Sequence, residues 1–264
     1  MVKQCDASLK QLIKTCWDDF KTLEKYRPDL VVKNSIPILW FGDIDSYFDS
    51  EKRIVTVALN PSNKEFIGNK GTVGVEVRFP TAKSIVNKQM LDDNDCDIYK
   101  QAMCEYFSTN RLQWFCHFER ILNKIGGSYG GVFNTGGNII YTAIHIDIYS
   151  PVATNDKWND LCRNGNDKTI ISANHIAFTN LLQYLNPDMI LISCNKNEIN
   201  KLLKGKNKPK WSKKAGRAFI NRYNYNGKVM ISGLNMKGTP FGGYSEFYDQ
   251  GFSEMIAAQN VFIP

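Results

Sequence analysis

Four stretches of the chain are rich in apolar and β-branched residues and then stop at turn formers: RIVTVALN from Arg53, NIIYTAIHIDIYSP from Asn138, DMILISCN from Asp188 and KVMISGLN from Lys228. Runs of this kind predict strands buried on both faces, as in a parallel sheet. Between them the apolar positions switch to helical spacing, in FPTAKSIVNKQMLDD from Phe79, NRLQWFCHFERILNKI from Asn110, ISANHIAFTNLLQYL from Ile171 and NKNEINKLLKG from Asn195. The first twenty residues add an amphipathic helix with charges throughout. Strand and helix alternate, so the pattern predicts an α/β fold: a central, mostly parallel four-stranded sheet flanked by helices, with an extra N-terminal helix. A length of 264 residues fits one domain, 1–264, with residues 1–50 as a helical extension packed on it.

Three of the four strands run directly into an asparagine: Asn60, Asn195 and Asn235. Asparagine caps its own turn and tolerates left-handed backbone, so ordinary punctuation is one explanation. The other is that the carboxyl ends of parallel strands gather on one edge, the usual ligand site of such sheets. The remaining strand alternates strictly: Ile144, Ile146 and Ile148 share one face, and His145, Asp147 and Tyr149 share the other. An edge strand with one wet face accounts for that pattern; so does a face that reads the hydrogen-bonding edge of a planar base.

Composition narrows the chemistry. A net charge of +7 suggests an anionic partner, with nucleic acid first. No apolar run is long enough to span a bilayer, which points to a soluble, cytoplasmic protein. The seven cysteines form no C-x-x-C pair, and the three histidines are dispersed, so reduced thiols and no metal site are expected. KLLKGKNKPKWSKKAGRAF gathers lysines, among them Lys208, Lys210, Lys213 and Lys214, around Trp211. It reads as a basic loop, either tracking phosphates or simply solvated. GGSYGGVFNTGG, from Gly126, reads as irregular structure, either a flexible connection or space beside a pocket.

The segments ALNPSN, HIDIYSPVATNDKW, MILISCNKNEINKLL and GLNMKGTPFGG resemble, in content and order, the uracil-DNA glycosylase superfamily, and the Asn60-Pro61 pair resembles its asparagine, mismatch-specific branch. The resemblance covers roughly Ile54 to Phe252. It implies a monomeric, cofactor-free enzyme that flips a nucleotide out of DNA and hydrolyses the bond between base and deoxyribose. Asn60 would position the attacking water and Asn235 would donate to the departing base, while His145 and Asp147 would read it. Met236 would wedge into the stack and Lys237 would hold a phosphate. The chain departs from the family where many relatives carry His-Pro-Ser, having Asn235-Met236-Lys237-Gly238 instead. Phe66 and Phe79 are candidates to stack on the base, with a core position as the alternative for each.

A carboxylate at position 147 suits the amino group of cytosine or a sugar hydroxyl better than a uracil carbonyl. The superfamily includes anti-phage enzymes that remove glucosylated 5-hydroxymethylcytosine, and that substrate is the specific expectation. Uracil or mismatch repair, and a catalytically inactive DNA-binding module of the same fold, are the alternatives. A small-molecule hydrolase built on Ser193 or Cys194 ranks last, because no histidine stands near either in sequence.

Overall fold

The computed structural model of the chain describes residues 3–109, 111–133, 140–174, 177–204, 208–215, 218–233 and 239–241. Its centre is β1 (Ile54–Ala58), in which every residue is buried. Five consecutive apolar or β-branched residues can be buried only if both flanks supply hydrogen bonds, and β1 has a parallel partner on each side. On one side β3 (Tyr141–Asp147) sets Ala143 opposite Ile54 and Asp147 opposite Ala58. On the other, β4 (Met189–Ser193) sets Met189 opposite Ile54. β7 (Lys228–Gly233) continues the parallel set beyond β4.

These are the four strands that the apolar runs predict, but the sheet has seven, in the order β2-β3-β1-β4-β7-β6-β5. The two-residue β2 (Gly127–Ser128) lies parallel to β3 and is too short to show a pattern. β5 (Trp211–Ala215) and β6 (Ala218–Tyr225) are antiparallel to each other, and β6 is antiparallel to β7. The basic stretch read as a loop therefore contains β5 and the first two residues of β6, part of an edge hairpin. Its polar residues hid β5 and the start of β6, whereas the next turn, Asn226-Gly227 between β6 and β7 at φ 51° and 82°, is the two-residue hairpin turn that the sequence shows most plainly. β3 is not an edge strand either. It lies between β2 and β1, and an extended segment covers its outer side, with Phe41 and His145 exchanging backbone hydrogen bonds of 2.8 and 3.0 Å.

Helices close both faces of the sheet. α1 (Ala7–Tyr26) is capped by Asp6, whose carboxylate accepts from the Leu9 amide at 2.8 Å. It buries Leu9, Ile13, Cys16, Trp17, Phe20 and Leu23. α2 (Ile44–Asp49) leads into β1, and α3 (Asp93–Cys104) begins at a reciprocal capping box between Asp92 and Asp95. α3 replaces the helix expected from Phe79: Pro80 starts only a short 3₁₀ turn, Pro80–Ser84, and the helix proper begins after Asp92. Its acidic first turn and buried Lys100 disguised an apolar face of Cys96, Tyr99 and Met103. Next come α4 (Cys116–Asn123), α5 (Trp158–Asn164), α6 (Asp167–Asn174), α7 (Ala177–Leu185) and α8 (Lys196–Leu202). Residues of α1, the covering segment, the sheet and α3 form one continuous apolar core.

Trp17 anchors α1 in that core, fully buried and donating its indole N–H to the Lys88 carbonyl at 3.1 Å. Trp17→Ala should cost about 3–5 kcal/mol. Urea titration should still show one cooperative transition, moved to lower denaturant; a separate early transition for α1 would mean that the helix is only appended.

Candidate active site

The order of the parallel strands reverses between β1 and β4: from β1 the chain moves outward to β3, then crosses back to β4 and on to β7. The crevice beyond the carboxyl ends at such a reversal is where open α/β sheets bind ligands. Asn60 stands there, two residues past β1. β1 and β3 stay paired up to this point, since Ile148 and Tyr149 donate to the Ala58 and Leu59 carbonyls at 3.0 and 2.9 Å. Pro61 then ends the strand, and Ser62 caps a 3₁₀ turn over Asn63–Glu65. The half-buried Asn60 amide donates to the Pro61 carbonyl at 3.1 Å and to the Thr154 hydroxyl at 3.4 Å. Asn60 thus does brace its own turn, and the same bonds hold its side chain in one orientation at the crevice.

A chain of polar side chains runs through the sheet to this edge. Thr56 on β1 meets the Tyr129 hydroxyl at 2.5 Å and His145 Nδ1 at 2.8 Å, and His145 Nε2 lies 3.6 Å from Asp147 Oδ1. Burial raises the Tyr129 phenol well above the usual range and keeps it protonated, and either hydroxyl can serve as donor in its bond with Thr56. With Tyr129 as donor, the single Thr56 proton would go to Nδ1, its nearer acceptor, in preference to the Ile144 carbonyl at 3.3 Å. A proton on Nε2 would complete this arrangement, with Nδ1 accepting from Thr56 and Nε2 facing the Asp147 carboxylate. All three residues are buried, and the side chains of His145 and Asp147 are buried to the same degree. Phe41, Trp114, Phe115 and Phe118 surround the imidazole with ring centroids 5.2–5.6 Å away.

The glycine-rich stretch serves this chain directly. Gly131, at φ 57°, lies so close to the Phe107 backbone that any side chain there would collide with it. Phe107 in turn stacks on Tyr129, with centroids 4.3 Å apart. The segment is therefore packed, including β2, through Phe133.

A second buried carboxyl group, Glu65, is one that sequence reasoning passed over. Glu65, 2 % exposed, accepts from the Tyr106 hydroxyl at 2.8 Å, and Arg78 Nε lies 3.5 Å from the same Glu65 oxygen. Burial pushes its carboxyl up to about 8, and the Asp147 charge adds to the shift. Tyr106 and Arg78 oppose it, but Arg78 is too distant for a good hydrogen bond. The signal was present in the sequence, since Glu65 directly precedes Phe66 in NPSNKEF, an acid between an apolar residue and a sharp turn.

The other candidates are dispersed. Phe66 and Phe79 are wholly buried and stacked on each other, and Phe79 stacks in turn on Tyr106, so neither ring has an open face here. Lys208 and Lys210 are exposed just before β5, and the backbones of Lys213 and Lys214 lie within it. Asn235, Met236 and Lys237 lie outside the described residues. Ser193 accepts from the Phe241 amide at 2.9 Å, and burial pushes the Cys194 thiol far above the thiolate range, so neither is an activated nucleophile. A cleft between α1, α2 and α3 has its polar groups paired internally: Lys100 donates to Asp45 and to the Lys3 carbonyl at 2.6 Å each, and Tyr184 donates to Asp6 at 2.7 Å.

Among the described residues, no group of three or more His, Cys, Asp or Glu side chains could hold a metal ion, and no helix is long and apolar enough to cross a membrane. No protein-family model matches the chain, and no curated protein is significantly similar to it.

Two measurements check this electrostatic arrangement. ¹⁵N spectra of the imidazole should show neutral His145 protonated at Nε2, and Thr56→Val, which removes the donor to Nδ1, should shift the population toward the Nδ1–H form. Glu65 has a folded pKa raised above that of the unfolded chain, so its stabilising contribution is complete below the ordinary carboxylate pKa and is lost as pH rises through about 8. Glu65→Gln should remove that loss, raising the melting temperature relative to wild type by several degrees near pH 8 and by much less in mild acid.

Proposed function

We propose that the chain is a DNA glycosylase that extrudes a modified or damaged pyrimidine nucleotide and hydrolyses its bond to deoxyribose, leaving an abasic site. The observation behind this reading is that Asn60, its amide bonded to Pro61 and Thr154, follows β1 where the strand order reverses, and that β3 carries the His145–Asp147 pair with Asp147 opposite Ala58. Base excision needs these parts. The base leaves C1′ with the bonding electron pair, the sugar passes through a cation-like state, and water adds its hydroxyl to C1′ while the proton it loses balances protonation of the departing base. An amide is no base at neutral pH, so Asn60 acts by fixing the water and bonding to it. The Asp147 carboxylate stabilises nearby positive charge and accepts from donors on the base.

That acceptor also favours one group of substrates. Cytosine-type bases offer an amino group and glucosyl substituents offer hydroxyls, whereas uracil sets a carbonyl against the carboxylate. A 5-hydroxymethylcytosine, bare or glucosylated, is the substrate that we propose, and removal of such bases from phage DNA would be a defence activity. The exposed Lys208 and Lys210 suit contact with phosphates at the sheet edge.

The deciding experiment incubates the protein with DNA carrying uracil, 5-hydroxymethylcytosine or glucosylated 5-hydroxymethylcytosine and measures abasic sites. Release of the modified cytosine is expected, and Asn60→Ala should reduce it by about 10²-fold with DNA affinity nearly unchanged. Full turnover by that variant would remove Asn60 from the reaction; no release from any strand would overturn the enzyme reading.

A further inference from the structure

Between the Asn60 turn and Phe79 the chain extends a short finger. Ile67 and Val73 bridge across it in antiparallel pairing; the Gly68 amide donates to the Thr72 carbonyl at 2.8 Å and the Gly74 amide to the Phe66 carbonyl at 2.7 Å. These two bonds flank the bridge, so Ile67 and Val73 form the non-hydrogen-bonded kind of pair, whose side chains share one face and approach most closely. The root of the finger is fixed. Phe66 and Val75 are buried, and the Val75 amide donates to the Asn34 carbonyl at 3.0 Å. Gly74, at φ 121°, lies so close to Asn34 that a side chain there would collide with it. The bridged pair is nonetheless 40 % and 41 % exposed.

Hydrogen bonds tie this finger to the crevice. The Ile67 amide donates to the Asn63 carbonyl at 3.0 Å, the Asn63 side chain donates to the Asn155 carbonyl at 3.1 Å, and the hydroxyl of the neighbouring Thr154 accepts from the Asn60 amide at 3.4 Å. The root of the finger and the Asn60 side chain are thus held on the same two residues. Lys33, next to Asn34, and Lys64, in the turn that leads into the finger, are exposed and form no ion pair among the described residues.

We propose that Ile67 and Val73 are a wedge that enters the base stack of duplex DNA and holds it open where a nucleotide has been extruded, with Lys33 and Lys64 taking phosphates beside it. Two side chains bury far too little area for a stable protein interface, whereas an apolar pair on a narrow, rigid support fits between adjacent bases. Lysines without carboxylate partners suit the phosphates that flank such a step. The proposal rests on the base-excision reading for why a nucleotide leaves the stack, and goes beyond it by assigning the residues that fill the gap. Neither residue touches the reacting bond, so both are positioning residues.

The test compares duplex with single strand. Both carry an uncleavable 2′-fluoroarabino nucleotide of 5-hydroxymethylcytosine with 2-aminopurine beside it, whose fluorescence rises when it loses its stacking neighbour. Wild type should raise that fluorescence on the duplex. The double variant Ile67→Ser, Val73→Ser should blunt the rise and weaken duplex binding by about tenfold, while binding the single strand, which has no paired stack to hold open, almost as wild type does. Both positions are exposed, so thermal melts should show the variant folded. Lys33→Ala with Lys64→Ala should instead weaken both complexes and flatten their salt dependence. No duplex binding by wild type, binding without a rise in fluorescence, a rise that the double variant keeps in full, or equal losses on duplex and single strand would each overturn the wedge. A rise that depends on Ile67 and Val73, without release from a cleavable strand, would retire the excision reading and leave the wedge standing. Release that the double variant performs at the wild-type rate would do the reverse.

Discussion

A strand with every residue withdrawn from water must find all its backbone partners inside the protein, and β1 meets that demand by lying in register between β3 and β4. The rest of the architecture follows from this pairing. Parallel neighbours on both sides require crossover connections, the crossovers carry the helices that cover the sheet, and the strand order must reverse somewhere. It reverses beside β1. The same register sets Ala58 opposite Asp147, so the turn at Asn60 and the end of β3 are brought to one crevice by backbone hydrogen bonds, before any side chain is considered.

What occupies that crevice is costly to the fold. Thr56, His145, Asp147, Glu65 and Tyr129 are polar or titratable groups buried in a largely aromatic surround. Some of the cost is recovered by directional bonding from Tyr129 through Thr56 to His145, which also sets the imidazole tautomer. The remainder is not recovered within the described chain: the Asp147 and Arg78 orphan atoms and the neutral Glu65 persist. Burial of Thr56, His145 and Asp147 together where the strand order reverses is the physical basis for treating that place as functional.

The sequence by itself determined the class of fold and the four central strands, because an apolar run between turn formers has few other solutions. It also determined the shared face of His145 and Asp147, since side-chain alternation along a strand is a local property. Neighbourhood was decided elsewhere. That β3 is covered on its outer side, that the lysine-rich stretch pairs as a hairpin, and that α3 buries a face containing Lys100 depend on partners distant in the chain. Glu65 and Arg78 show the division most clearly. Each is an ordinary charged residue in the sequence; only tertiary packing buries Glu65 against Tyr106 with Arg78 beside it, and desolvation, which has no local signature, raises the Glu65 carboxyl to about 8.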